Sequence, residues 1–117
     1  MIRIMVPGRP VPAVRMTQRG KYVKPQAQRY LQYKEMVGWV GRHEIKEPLQ
    51  GDIAVSMRFF LHGGQTPDID NLIKAILDGL NKVAWNDDKQ VTKVTAERGY
   101  AENKNYECVE IDISEIP

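Results

Sequence analysis

The sequence predicts an α+β domain: a mixed, mostly antiparallel sheet of about four strands with two helices, in the order β-α-β-α-β-β. Three observations predict it. Residues 52–61 alternate polar and apolar side chains at the period of a half-buried strand. Segments 26–40 and 71–82 repeat apolar residues at the spacing of a helix face. The chain has 117 residues, enough for one core and too few for two, so residues 1–117 read as a single domain.

Each element follows in order. Ile2, Ile4 and Val6 alternate with Arg3 and Met5, predicting a first strand that Pro7 and Gly8 end. The next stretch combines Pro7, Pro10, Pro12 and Pro25 with Arg9, Arg15, Arg19, Lys21 and Lys24 and has no acid, which reads as an extended basic loop or ribbon. From Gln26 to Val40, the spacing of Tyr30, Tyr33, Val37 and Val40 suits a helix, with Gly38 and Gly41 as weak points and Pro48 beyond its end. That spacing places Tyr30, Tyr33 and Trp39 in the core rather than stacked on bases.

Asp52 to Leu61 is the clearest strand: Ile53, Val55, Met57, Phe59 and Leu61 share one face. Its end, HGGQTP, contains His62, which at a strand terminus reads as incidental rather than as a base or ligand. In the second helix Leu72, Ile73, Ile76, Leu77, Leu80 and Val83 form an apolar stripe, with Asn71, Lys74, Asp78 and Lys82 largely opposite. Gln90–Arg98 and Tyr106–Ile113 read as two closing strands joined by the turn-rich GYAENKN.

Charge divides the chain more than its net +2 suggests. Residues 1–46 carry ten Lys/Arg against two acids, and residues 47–117 carry seven against thirteen. A basic half beside an acidic half suits a nucleic-acid enzyme, with cations for phosphates and carboxylates for a metal, although an uneven solvated surface gives the same count. No run approaches the roughly eighteen apolar residues of a membrane span, and the N-terminus lacks a signal-peptide core. A soluble, cytoplasmic protein is expected. The single Cys108 has no disulfide partner within the chain and reads as a small buried apolar residue.

The chemistry concentrates in PDIDNLIKAILDGLNKVAWNDDKQV, where Asp68, Asp70, Asp78, Asp87 and Asp88 surround the helix with Lys74. Helix capping by Asp68 or Asp70 and exposed i,i+4 pairs of Lys74 with Asp70 and Asp78 account for some of these acids. They do not account for Asp68 and Asp70 two apart after a proline, nor for the second aspartate pair. Carboxylates held together repel unless a cation neutralises them, so converging Asp68, Asp70 and Asp88 predict a hard divalent metal such as Mg²⁺. D-x-D or Asp-Asp alone is a weak motif; their spacing as DxDNxxK, DxL and DD is far more specific.

DIDNLIKAILDGLN followed by WNDDKQV, with GRPVPAVR upstream and the same order of elements, resembles the RusA-type Holliday junction resolvases of bacteria and their phages. The resemblance spans nearly the whole domain. It implies a homodimeric, Mg²⁺-dependent endonuclease, Mn²⁺ able to substitute, that cuts four-way DNA junctions by paired incisions in recombination and repair. Asp68, Asp70 and Asp88 match the family's catalytic carboxylates and Lys74 its essential lysine. The connection to the Asp-Asp pair is about one residue shorter than in the best-known member, so Asp87 stands beside Asp88 as a metal ligand, with Asp88 favoured.

On this reading Asn71 orients Asp68 or Asp70 from outside the metal shell, and Arg9, Arg15, Arg19, Lys21 and Lys24 contact backbone phosphates. No membrane and no small-molecule cofactor are expected. Other branched DNA, such as flaps or forks, suits the same chemistry, and junction binding without cleavage is the further alternative. A helix over 71–82 is on the order of 18 Å long, which separates Asp88 from Asp70. Either VAWNDD doubles back alongside the helix, or a two-fold partner supplies its own Asp87 and Asp88.

Overall fold

In the computed structural model, which describes residues 1–15 and 24–117, apolar alternation becomes a sheet with one covered face. The elements are β1 (Ile2–Pro7), α1 (Pro25–Glu44), β2 (Ile53–Leu61), α2 (Ile69–Leu80), β3 (Val91–Tyr100) and β4 (Cys108–Glu115). Two single 3₁₀ turns, Asp88–Gln90 and Lys104–Tyr106, precede β3 and β4. The α+β class and the order β-α-β-α-β-β match the expectation. The strands run β1-β4-β2-β3 across the sheet. β4 is antiparallel to both β1 and β2, whereas β3 is parallel to β2. Parallel strands cannot be joined by a tight hairpin, so α2 carries the chain back between β2 and β3.

Alternation determines what each face does. Ile53, Val55, Met57, Phe59 and Leu61 of β2 join Val109, Ile111 and Ile113 of β4 and Ile4 and Val6 of β1 on the buried face. Tyr30, Tyr33 and Val37 of α1 and Leu72, Ile76 and Leu80 of α2 close over them. Each fully buried side chain of this kind stabilises the fold by about 1.5–3 kcal/mol. The opposite face carries a polar lattice, in which Arg58 donates to Glu110 and Asp112 while Arg3 donates to Asp112. Cys108 lies half-buried rather than in the core, because its register position beside Phe60 is on this second face. Its thiol is pushed above its usual range by partial burial.

Two expectations about α1 are corrected. Trp39 is 61% exposed, with its ring against that of His43, because it falls outside the Tyr30, Tyr33, Val37, Gly41 stripe that faces the core. Gly38 and Gly41 do not weaken the helix, which continues to Glu44; they let α2 approach. A Cβ on Gly41 would lie 2.8 Å from Leu80 Cδ2, and one on Gly79 would lie 2.8 Å from Val37 Cγ1.

Candidate active site

Pro67 leads into α2, and Asp68 occupies the N-cap position with an extended backbone, φ −66° and ψ 138°. Asp70 lies inside the first helical turn. Its Oδ1 accepts from the Asn71 backbone N–H at 3.0 Å. Asp68, Asp70 and Lys74, one turn further on, are all exposed. Asn71 is half-buried, and its carbonyl accepts from Ala13 N at 2.9 Å, tying the proline-rich N-terminal segment to α2. Asp68 and Asn71 line a groove of about 770 Å³ whose other walls include Val11, Val14, Arg29 and Thr66. Arg29, a cation in the groove, is not among the sequence-read contacts.

Asp78 takes a different course from its i,i+4 neighbours. It accepts a short hydrogen bond from Tyr30 Oη on α1, so it ties the two helices together rather than pairing with Lys74. Burial and this bond raise the Tyr30 hydroxyl well above its ordinary range.

The second aspartate pair is also locally built. Asp87 caps the 3₁₀ turn, accepting from Lys89 N at 2.9 Å, and Gln90 Oε1 accepts from Asn86 N and Asp87 N. Gln90 Nε2 in turn donates to the carbonyls of Leu49 and Gly51, fixing the turn to the body of the domain. Asp88 Oδ1 accepts from the indole Nε1 of fully buried Trp85 at 2.7 Å. The loop between α2 and this turn is tight: Lys82 has φ 70°, and its amide donates to Trp85 O.

The two pairs do not meet in one chain. Ile53 pairs with Val91 and Leu61 with Tyr100, so Asp87 and Asp88 precede β3 at the end of the sheet where β2 begins. Asp68 follows β2 at the other end, where Arg98 Nη1 donates to Pro67 O at 2.6 Å. Among the described residues, no three His, Cys, Asp or Glu side chains gather closely enough to hold a metal ion. Doubling back of VAWNDD alongside the helix is therefore not what the chain does.

The basic residues divide too. Arg15 and Lys24 are exposed at the edges of the described segment, while Arg19 and Lys21 lie outside the described residues. Arg9 is engaged internally: Nη1 donates to Glu107 Oε2 at 2.6 Å and to His62 O at 3.3 Å, and Nη2 donates to Gln65 O at 2.8 Å. Glu107 is buried and also accepts from His62 N at 2.9 Å. The bond from the His62 amide, reinforced by Arg9, holds its carboxyl below the usual carboxylate range. The sequence reading missed Glu107, Arg98, Trp85 and Gln90. Only Gln90 had a local signal, since Asp87-x-x-Gln90 has capping-box spacing.

No helix among the described residues is long and apolar enough to cross a membrane. No curated protein sequence matched the chain. The model of the family described as Endodeoxyribonuclease RusA matches residues 7–114, nearly the full length and inclusive of both aspartate pairs, Lys74 and the Arg9–Glu107 pair. The chain belongs to the RusA endodeoxyribonuclease family.

Proposed function

We infer that this protein is a Mg²⁺-dependent endodeoxyribonuclease that resolves four-way DNA junctions by paired phosphodiester hydrolysis, acting in the cytoplasm in recombination and repair. Residues 1–117 form its single catalytic domain. The observation that carries the reading is Asp68 at the N-cap and Asp70 in the first turn of α2, two exposed carboxylates beside a groove, with Lys74 one turn along, in a chain of this family. Both aspartates present hard oxygen donors, the ligand type Mg²⁺ and Mn²⁺ take. Among the described residues one chain brings only this pair to the groove, and on this reading the third carboxylate, Asp88 with Asp87 beside it, comes from a second copy.

The sheet edge supports such a homodimer. β3 pairs with β2 on one side only, and Val94 is 40% exposed beside half-buried Ala96. A two-fold copy with its β3 antiparallel to this one, centred on Thr95, sets Lys93 opposite Glu97 in both directions, a favourable cross-strand pair. That arrangement also brings the start of one β3, just after Asp88, towards the end of the other, where Arg98 holds Pro67.

A bound Mg²⁺ supplies activation of a water and neutralisation of charge on the phosphate. The chain's own residues do the rest. Trp85 fixes one oxygen of Asp88, the backbone N–H of Asn71 holds Asp70 Oδ1, and Lys74 offers an ammonium for the phosphate or for a carboxylate. Arg15 and Lys24, with Arg19 and Lys21, bind backbone phosphates, giving affinity that falls with salt and little base preference.

The test is cleavage of a labelled four-way junction and a matched linear duplex, with Mg²⁺ or EDTA, by wild type and Asp70→Asn. Paired nicks are expected in the junction alone and only with Mg²⁺. Asp70→Asn should bind the junction yet lose at least about 100-fold in rate, since even groups one shell from a metal are worth 10–100-fold. A junction bound but uncut under every divalent metal would make this a DNA-binding protein. Equal cutting of flaps or forks would move the substrate class.

A further inference from the structure

The loop from His62 to Pro67 links the central strand to Asp68, and its carbonyls are held from outside. Arg9 takes the carbonyls of His62 and Gln65, and Arg98 takes that of Pro67, the residue before Asp68. Glu107, 6% exposed, anchors the first arginine and accepts from the His62 amide with the same oxygen. His62 Nδ1 lies 2.9 Å from Ala101 O, which fixes the near end of the loop to the connection before β4. Gly63 and Gly64 turn the chain at φ 58° and 74°. A Cβ on Gly64 would stand 3.3 Å from Arg9 Nη2, so the guanidinium fills the turn.

A guanidinium that spans one carboxylate and two carbonyls is held rigidly by its planar fork, which an ammonium cannot reproduce. A side chain so used is poorly placed to bind a DNA phosphate. It also comes from a proline-flanked segment whose Ala13 is tied to Asn71 of α2, so both ends of the loop and the start of the helix share one frame.

We propose that Arg9, Glu107 and Arg98 are positioning residues for the nuclease reaction: they clamp the 62–67 loop and thereby set Asp68 and Asp70 for metal binding, with Arg9 acting through the loop rather than on DNA. The proposal rests on the nuclease reading given above. Displacing a reacting group by about 1 Å can cost on the order of 100-fold, which sets the scale of the expected effect.

The experiment uses the full-length protein and Arg9→Lys, which keeps the charge and one bond to Glu107 but cannot bridge the three acceptors. Arg98→Lys, on the exposed edge strand, is the second variant and does not depend on the interior pair. Four quantities are read: junction affinity and its salt dependence without divalent metal, Mn²⁺ affinity by electron paramagnetic resonance without DNA, amide hydrogen exchange across residues 62–71, and cleavage rate at saturating junction. Both variants should bind the junction within about twofold of wild type with an unchanged salt slope. Mn²⁺ affinity should fall about tenfold, amides 62–71 should exchange faster, and cleavage should fall about 10–100-fold.

The proposal fails if Arg9→Lys matches wild type in Mn²⁺ affinity and exchange while Arg9→Gln lowers the salt slope by about one, for Arg9 is then a phosphate contact. A wild-type protein that neither cuts nor binds Mn²⁺ would sink the nuclease reading instead. In that event unchanged exchange at 62–71 in both variants would separately sink the clamp.

Discussion

Asp87 and Asp88 are adjacent carboxylates with different partners, and on the proposed reading that difference separates their roles. Asp87 is committed to the 3₁₀ cap through Lys89 N, whereas Asp88 is held by the Trp85 indole, a buried donor three residues back. A donor from a rigid buried ring orients a carboxylate without a charge that would compete with a metal. The expected outcome is that Asp88→Asn abolishes Mn²⁺ binding and cleavage. Asp87→Asn, which keeps the capping oxygen, should stay within a few-fold of wild type. Trp85→Phe should keep the fold, losing roughly 1–3 kcal/mol to the smaller ring, while cleavage falls about 10–100-fold. Equal damage from Asp87→Asn and Asp88→Asn in the cleavage assay would remove the distinction. The sequence displayed the Asp-Asp pair but favoured Asp88 only through a family resemblance, because the choice depends on where one indole N–H points.

The two helices show how an element's sequence can be read correctly and its purpose misjudged. Apolar spacing located α1 and α2 and the faces they bury, since core contact follows the 3.6-residue period. Glycines at 38 and 41 read as weak points because intrinsic propensity counts a helical glycine as a loss of up to about 1 kcal/mol relative to alanine, and Gly79 of α2 carries the same intrinsic cost. In the packed pair that sign reverses. At Gly79 a new Cβ would meet Val37 Cβ at 2.9 Å and Lys34 O at 3.1 Å, and the second of these is backbone that cannot swing away. Gly79→Ala is therefore expected to destabilise by about 1–3 kcal/mol in urea unfolding, the usual cost of overpacking. A more stable variant would show that propensity outweighs the close approach. Trp39 failed for a related reason: helical spacing predicts which residues share a face, and Trp39 lies one step off the stripe, with the solvent-facing residues of α1.

At the scale of the molecule, the β2-α2-β3 crossover separates what the sequence brings close. Asp68 and Asp88 are twenty positions apart, yet a helix of 12 residues, about 18 Å long, carries the chain from one end of the sheet to the other between them. The length of α2 was legible from its period, and so was the conflict with a one-chain site. The parallel pairing that sets the two aspartate pairs at opposite ends of the sheet was not, because it depends on β4 occupying the place between β1 and β2 and leaving β3 at the edge. A site divided between two copies has a distinct functional signature. In a homodimer each of the two sites would draw Asp68 and Asp70 from one chain and Asp88 from the other. Asp70→Asn and Asp88→Asn proteins are each inactive alone, since every site lacks one ligand. Mixed and allowed to exchange subunits, they form heterodimers in which one site carries both substitutions and the other carries neither. Random pairing makes half the dimers mixed, so about a quarter of wild-type sites are restored. The expected readout is recovery of single nicks in a labelled junction to roughly that level, with paired incision remaining rare because each mixed dimer has only one working site. If each chain instead built its own site, every site in every mixed dimer would carry one defect, and the mixture would stay as inactive as its parts.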